Sequence, residues 1–190
     1  MEMEQLKEFT LELENKLQDF KTEVESLNEE QLHSLEEEII KEIEDYEKVV
    51  FEKQFDLSSE VVFDGNKHSF NEVVGDILYL INKNEVEYKF TLGLYELYNF
   101  WKSADKTMKI TYSVLDSTLR ILGQIKFTGY SEWKRILVIN EFFKPNHVEY
   151  TKINAMQVFY AQKHNIVMDK LQLLKPVDTN AIDESEIMNN

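Results

Sequence analysis

The stretch YKFTLGLYELYNFW, residues 88–101, decides the fold class. Read as a helix, it sets Phe90, Leu94, Leu97 and Trp101 in one row and Tyr88, Leu92, Tyr95 and Tyr98 in a second. Two apolar rows leave little face for water, which is the pattern of a helix at the centre of a bundle. Gly93 costs a helix up to about 1 kcal/mol relative to Ala, and its place midway suggests the close approach of a neighbouring backbone. The hydroxyls of Tyr88, Tyr95 and Tyr98 and the carboxylate of Glu96 need polar partners or solvent. They leave a second reading open, an aromatic groove holding the site of a cytoplasmic enzyme.

The rest of the chain agrees with helix. Its 190 residues are 43% hydrophobic and 12% aromatic, a globular composition, and only 5 Gly and 2 Pro are present to build the turns of an all-β fold. We therefore expect an all-α, multi-helix bundle of about six or seven helices, with an N-terminal acidic long helix or helical hairpin. The absence of Cys excludes disulfides, thiolate metal ligands and Cys nucleophiles. The opening MEMEQLKEFTLELENK is acidic where an export signal is basic. The longest apolar run, ILVI at 136–139, is far short of the roughly 20 residues of a membrane helix. A cytoplasmic protein without a membrane partner is the expectation.

Charge is unevenly spread. Residues 1–60 carry 20 Asp or Glu against 6 Lys, residues 61–175 carry 12 acids against 15 bases, and residues 176–190 add 4 acids and no base. The division of the chain follows: an acidic helical hairpin or coiled-coil-like arm at 1–57, a helical bundle core at 58–175 and an acidic disordered tail at 176–190. In the arm, Leu6, Leu13, Phe20 and Leu27 alternate with Thr10, Leu17 and Val24 in a strict heptad. From Leu32 through Leu35, Ile39, Ile43, Tyr46 and Val50 the period becomes that of a straight amphipathic helix. Between them, Ser26 with Glu29 or Asn28 with Gln31 offers a capping box. A break there gives a hairpin, and its absence one helix of some 50 residues.

Further along, Asp64-Gly65-Asn66 is turn chemistry beside a short extended piece at Val61–Phe63. Ser69 and Glu72 form a capping box for a helix to about Ile81, and the helix of the opening stretch runs to about Ser103. A further helix is expected over about 106–124, with Ile110, Val114, Leu115, Leu119 and Leu122 on its apolar face. Another is expected from a Ser131 cap to Lys144-Pro145, and a last one over about 147–174.

The chemistry-bearing patterns are sparse. Glu30 and His33 stand at the i, i+3 spacing of di-metal helical bundles, but the motif occurs once and such bundles need it twice. No metal and no cofactor is expected. His68, His147 and His164 are isolated, and Ser131 reads as a cap rather than a nucleophile. Lys102, Lys106 and Lys109 fall at i, i+4 and i+7 on one helix face and, with Lys134 and Arg135, sketch a basic surface for nucleic acid. The same bases could instead meet the acidic arm. The expected role is a non-enzymatic protein-protein interaction or scaffold protein. Its N-terminal helix binds a protein partner or itself through Leu6, Leu13, Leu17, Phe20, Val24 and Leu27. The alternatives are a nucleic-acid-associated regulator, using the basic surface or the acidic arm as a mimic of nucleic acid, and the enzyme with a groove at Tyr88, Tyr95, Glu96 and Tyr98.

Overall fold

The computed structural model describes residues 2–83, 91–124 and 129–175. Among them the chain is all-α, a multi-helix bundle with seven α-helices and two small two-stranded sheets. It divides into two compact units, one of Met1–Leu6 with Asp45–Asn154, the other of Lys7–Glu44 with the residues from Ala155 onward.

The N-terminal region is two helices, of which residues 7–44 belong to the second of these units. Helix α1 (Glu2–Glu25) stops, and α2 (Glu29–Glu52) begins, at a reciprocal capping box. The Gln31 N–H donates to Asn28 Oδ1 at 3.0 Å and the Asn28 N–H to Gln31 Oε1 at 3.1 Å, satisfying two donors that the helix start would leave open. The other expected pair does not form. Ser26 turns its hydroxyl back to the Glu23 carbonyl at 2.8 Å and closes α1 instead. The last part of the α1 heptad and the first part of the α2 stripe meet the C-terminal part of α7 (His147–Leu174). Val24, Leu32, Ile39, Val167 and Leu171 are buried together, with Phe20, Leu27, Leu35 and Ile43 packed around them. At the edge of this core Lys163 donates to Glu42 Oε2 at 2.7 Å, and its ammonium lies 5.1 Å from the ring centre of Phe20.

The other unit is organised by α3 (Phe70–Lys83). The Ser69 N–H donates to Glu72 Oε2 at 2.6 Å and the Glu72 N–H to Ser69 Oγ at 3.4 Å, the capping box read from sequence. The Ser69 N–H and the Ser69 hydroxyl, both donating to the charged carboxylate, hold the Glu72 carboxyl below its usual range. From that start, Phe70, Val73, Val74, Ile77, Leu80 and Ile81 recur at helical spacing and are all buried. They pack with Leu97 and Trp101 of α4 (Thr91–Ser103), Leu115 and Leu122 of α5 (Tyr112–Gln124), and Val138, Ile139, Phe142 and Phe143 of α6 (Tyr130–Phe143). The first row of the opening stretch is thus core as far as it is described, Trp101 being fully enclosed. Phe90 lies outside the described residues.

Four short strands join the helices. Strands β2 (Glu60–Phe63) and β3 (Asn66–Ser69) form a hairpin whose two loop residues, Asp64 at φ 51° and Gly65 at φ 73°, take the left-handed conformation that a two-residue turn of this hand requires. Strand β1 (Gln54–Asp56) pairs antiparallel with β4 (Lys109–Thr111), setting the buried Phe55 opposite the buried Ile110.

That second pairing corrects the expected helix over 106–124. Ile110 belongs to a strand, and α5 starts at Tyr112, where the Val114 N–H reaches Thr111 Oγ1 at 3.4 Å. Two local expectations also fail. Ser131 is not a cap, because α6 starts one residue earlier with Gly129 in the N-cap position and no side-chain bond. Gly93 has nothing within 4 Å of where a Cβ would stand, so no neighbouring backbone explains it. Gly75, exposed in the middle of α3, is equally unobstructed. Gly75→Ala is therefore expected to stabilise the protein by up to about 1 kcal/mol, or roughly 2–4 °C in Tm, as read by thermal unfolding.

Candidate functional site

The residues that the sequence nominates do not gather at one place. Of the α1 seam, Leu13 and Val24 are buried and Leu6, Leu17, Phe20 and Leu27 are half-buried, with Phe20, Val24 and Leu27 spent on the core they share with α2 and α7. What α1 and α2 show to solvent is largely acid, with Glu14, Asp19, Glu23, Glu30, Glu37 and Glu38 all exposed, alongside the exposed apolar Leu11, Ile40, Val49 and Phe51.

Of the residues nominated for an aromatic groove, three are described and all lie on α4. Tyr88 lies outside the described residues, Tyr95 stands 64% exposed, Glu96 is exposed, and Tyr98 packs against the hydrophobic core. The basic residues are dispersed. Lys102 is on α4, Lys106 is in a turn and Lys109 is on β4, so the three do not share a helix face, and Lys109 pairs with Asp56 at 3.2 Å. Lys134 is half-buried on α6. Arg135 forms an ion pair with Asp76 and lies 4.6 Å from the ring centre of Tyr79. Next to it, Lys83 forms an ion pair with the buried carboxylate of Glu132, and Tyr79 Oη lies 3.5 Å from the same group.

The histidines take separate places. His33 faces Glu36 at 3.4 Å rather than Glu30, and His164 of α7 lies 3.9 Å from the same Glu36. His68 is on β3 with Nε2 shielded from solvent and without a hydrogen-bond partner. Among the described residues no group of three or more His, Asp or Glu is arranged to hold a metal ion. No helix among them is long and apolar enough to cross a membrane.

A cleft of about 380 Å³ lies where sequence reading nominated nothing. It opens where α6 turns through a 3-10 segment, Lys144–Asn146, into α7, with α5 along its side. Leu115, Leu119 and Phe143 supply apolar lining, and Asn140, Glu141, Lys144, Asn146, His147 and Tyr150 supply polar groups. Most of the latter are already engaged. Lys144 donates to Glu141 at 2.9 Å, Asn146 to the Asp56 carbonyl at 2.9 Å, and the Tyr150 hydroxyl to Asp116 Oδ1 at 2.9 Å.

Behind Tyr150, Asp116 also accepts from Arg120 Nε at 2.7 Å, and the Tyr112 hydroxyl donates to Asn154 Oδ1 at 2.5 Å. Burial, reinforced by the Asp116 charge, pushes the Tyr112 hydroxyl far above the usual tyrosine range, and burial raises Tyr150 as well. Both phenols are held as neutral donors, which suits support of the cleft wall and not proton transfer near neutrality.

A raised folded-state value makes stability depend on pH in one direction. The contribution is complete below the unfolded tyrosine value near pH 10 and is lost as pH climbs toward the folded one. Tm is expected to fall steeply above about pH 10, and Tyr112→Phe to start lower but decline less, in a circular-dichroism melting series across that window.

The two-residue Asp-Gly turn and the Ser69 box were readable in the chain, but the cleft was not. Its lining comes from three helices and a bend, and no local spacing announces it. Comparison with protein-family models, with curated proteins and with solved structures returns no match.

Proposed function

We propose that the protein is a non-enzymatic interaction protein whose acidic α1–α2 pair engages a protein partner through a basic surface. One observation carries the reading: Phe20, Val24 and Leu27 of α1 and Leu32, Leu35, Ile39 and Ile43 of α2 are committed to a core shared with α7, while the carboxylates of both helices stay exposed and available to a partner. Of the two modes open to the N-terminal region, self-association through Phe20, Val24 and Leu27 would first have to dismantle that core. Association through the outward carboxylates dismantles nothing, and complementary charge gives it a fast, salt-sensitive encounter.

The dispersal of Lys102, Lys106 and Lys109, and the engagement of Arg135 with Asp76, weigh against a phosphate-tracking surface. The bases of the later chain also meet acids of the first third within each unit, as in Lys109 with Asp56 and Lys163 with Glu42.

The test captures partners on the tagged full-length chain and on a variant carrying Glu14→Gln, Asp19→Asn, Glu37→Gln and Glu38→Gln, with and without nuclease. A protein retained by the parent, released by moderate salt, indifferent to nuclease and lost from the variant, with crosslinks from its Lys or Arg to α1 or α2, is the expected result. Retention that survives the four substitutions, or that vanishes with nuclease, refutes the reading.

A further inference from the structure

We infer that the cleft between α5, α6 and the start of α7 binds a small uncharged ligand with an apolar, planar body and a hydrogen-bonding edge of the amide or lactam type. This goes beyond the acidic-helix reading and concerns a different surface.

Size comes first. At about 380 Å³ the cleft falls in the range of small-molecule sites, and Leu115, Leu119 and Phe143 give it a surface that favours an apolar ring. Charge comes second. In a chain of net charge -15 the cleft is locally balanced: Glu141 is paired with Lys144 at 2.9 Å, and Asp116, behind Tyr150, with Arg120 at 2.7 Å. An ionic ligand would find no uncompensated countercharge and would lose its hydration on entry, which disfavours both signs.

The third consideration is which polar groups remain unspent. Tyr150 gives its donor to Asp116, and Asn146 and Lys144 are engaged with the Asp56 carbonyl and with Glu141. Among the described residues lining the cleft, the polar side chains with no hydrogen bond or ion pair at all are the Asn140 amide on α6 and the His147 imidazole on α7. An amide presents one donor edge and one acceptor, and a neutral imidazole one of each. The group that answers both is one carrying a carbonyl beside an N–H.

Three probes with the same ring and different edges test this on the full chain: benzamide (neutral, donor and acceptor), benzoate (anion) and benzylammonium (cation). Titration followed by NMR is expected to show benzamide binding in the millimolar range normal for so few atoms, moving the Asn140 side-chain amide and His147 ring signals, with both ions at least roughly fivefold weaker. Asn140→Ala and His147→Ala remove exposed groups and should leave Tm unchanged while weakening benzamide roughly fivefold each. Because the wild-type signals locate the ligand independently, the test does not depend on how the variants fold. Absence of benzamide binding up to about 20 mM, equal or tighter binding of either ion, or saturable binding that leaves Asn140 and His147 unmoved would each overturn the inference.

Discussion

Trp101→Ala is expected to destabilise the protein by about 4 kcal/mol, among the largest effects available to a single core change. The indole has no solvent exposure. It meets Phe143 edge-on with ring centres 5.9 Å apart and Phe100 at 5.4 Å, and its Nε1–H donates to Thr118 Oγ1 at 2.9 Å. Truncation removes the largest side chain of that core and leaves a cavity between α4, α5 and α6 that these packed helices can only partly close. Trp101→Phe separates packing from hydrogen bonding. It keeps most of the volume, and Thr118 keeps its own bond to the Val114 carbonyl at 2.7 Å, so a loss of about 2 kcal/mol is expected. Urea unfolding followed by far-ultraviolet circular dichroism measures both, and a Trp101→Ala loss below about 1 kcal/mol would contradict the buried position.

Lys83→Met is the second large effect. Glu132 is 5% exposed, so its charge has left water, and the Lys83 ammonium at the end of α3 is an ionic partner to it. Removing one member of a buried pair strands the other, and a cost of about 3 kcal/mol is expected, at the lower end for such pairs because Lys83 is itself one-third exposed. Replacing both, as Lys83→Met with Glu132→Leu, should return stability to within about 1 kcal/mol of the parent, since packed apolar groups replace such pairs with little loss. A single change as mild as the double one in the same urea series would show that Glu132 keeps its solvation in the folded protein. The neighbouring Asp76–Arg135 pair, with Arg135 more exposed, is expected to matter less.

How much of this was legible in the chain follows from the range over which each signal acts. Ser69 with Glu72, Asn28 with Gln31 and the left-handed Asp64-Gly65 turn are contacts within four residues, and each forms as its sequence implies. The buried row Leu97 and Trp101 is equally local, set by helical periodicity alone. Small local readings such as the Ser131 cap also fail, but the failure that changes an element is non-local. Lys109–Thr111 looks like the first turn of a helix because Ile110 fits the apolar stripe of α5. Its partner is Phe55, distant in sequence, and the cross-strand pair outweighs the local pattern. The same holds for function. The heptad of α1 specifies a seam without naming what fills it, and α2 and α7 of the same chain do. Spacing also left open which side of α4 faces water, which Tyr95 now answers.

The setting of Lys163 has a chemical corollary. Its side chain is 14% exposed, tethered to Glu42 on α2 and close to the rings of Phe20, Phe159 and Tyr160. An acylating reagent must reach that nitrogen before it can react, so the amine should stay unlabelled for as long as α1, α2 and α7 remain packed, while open lysines such as Lys16 and Lys48, 59% and 70% exposed, are modified at once. Lys163 is thereby a built-in clock for the opening of this three-helix core, readable by mass spectrometry one peptide at a time, without an engineered label.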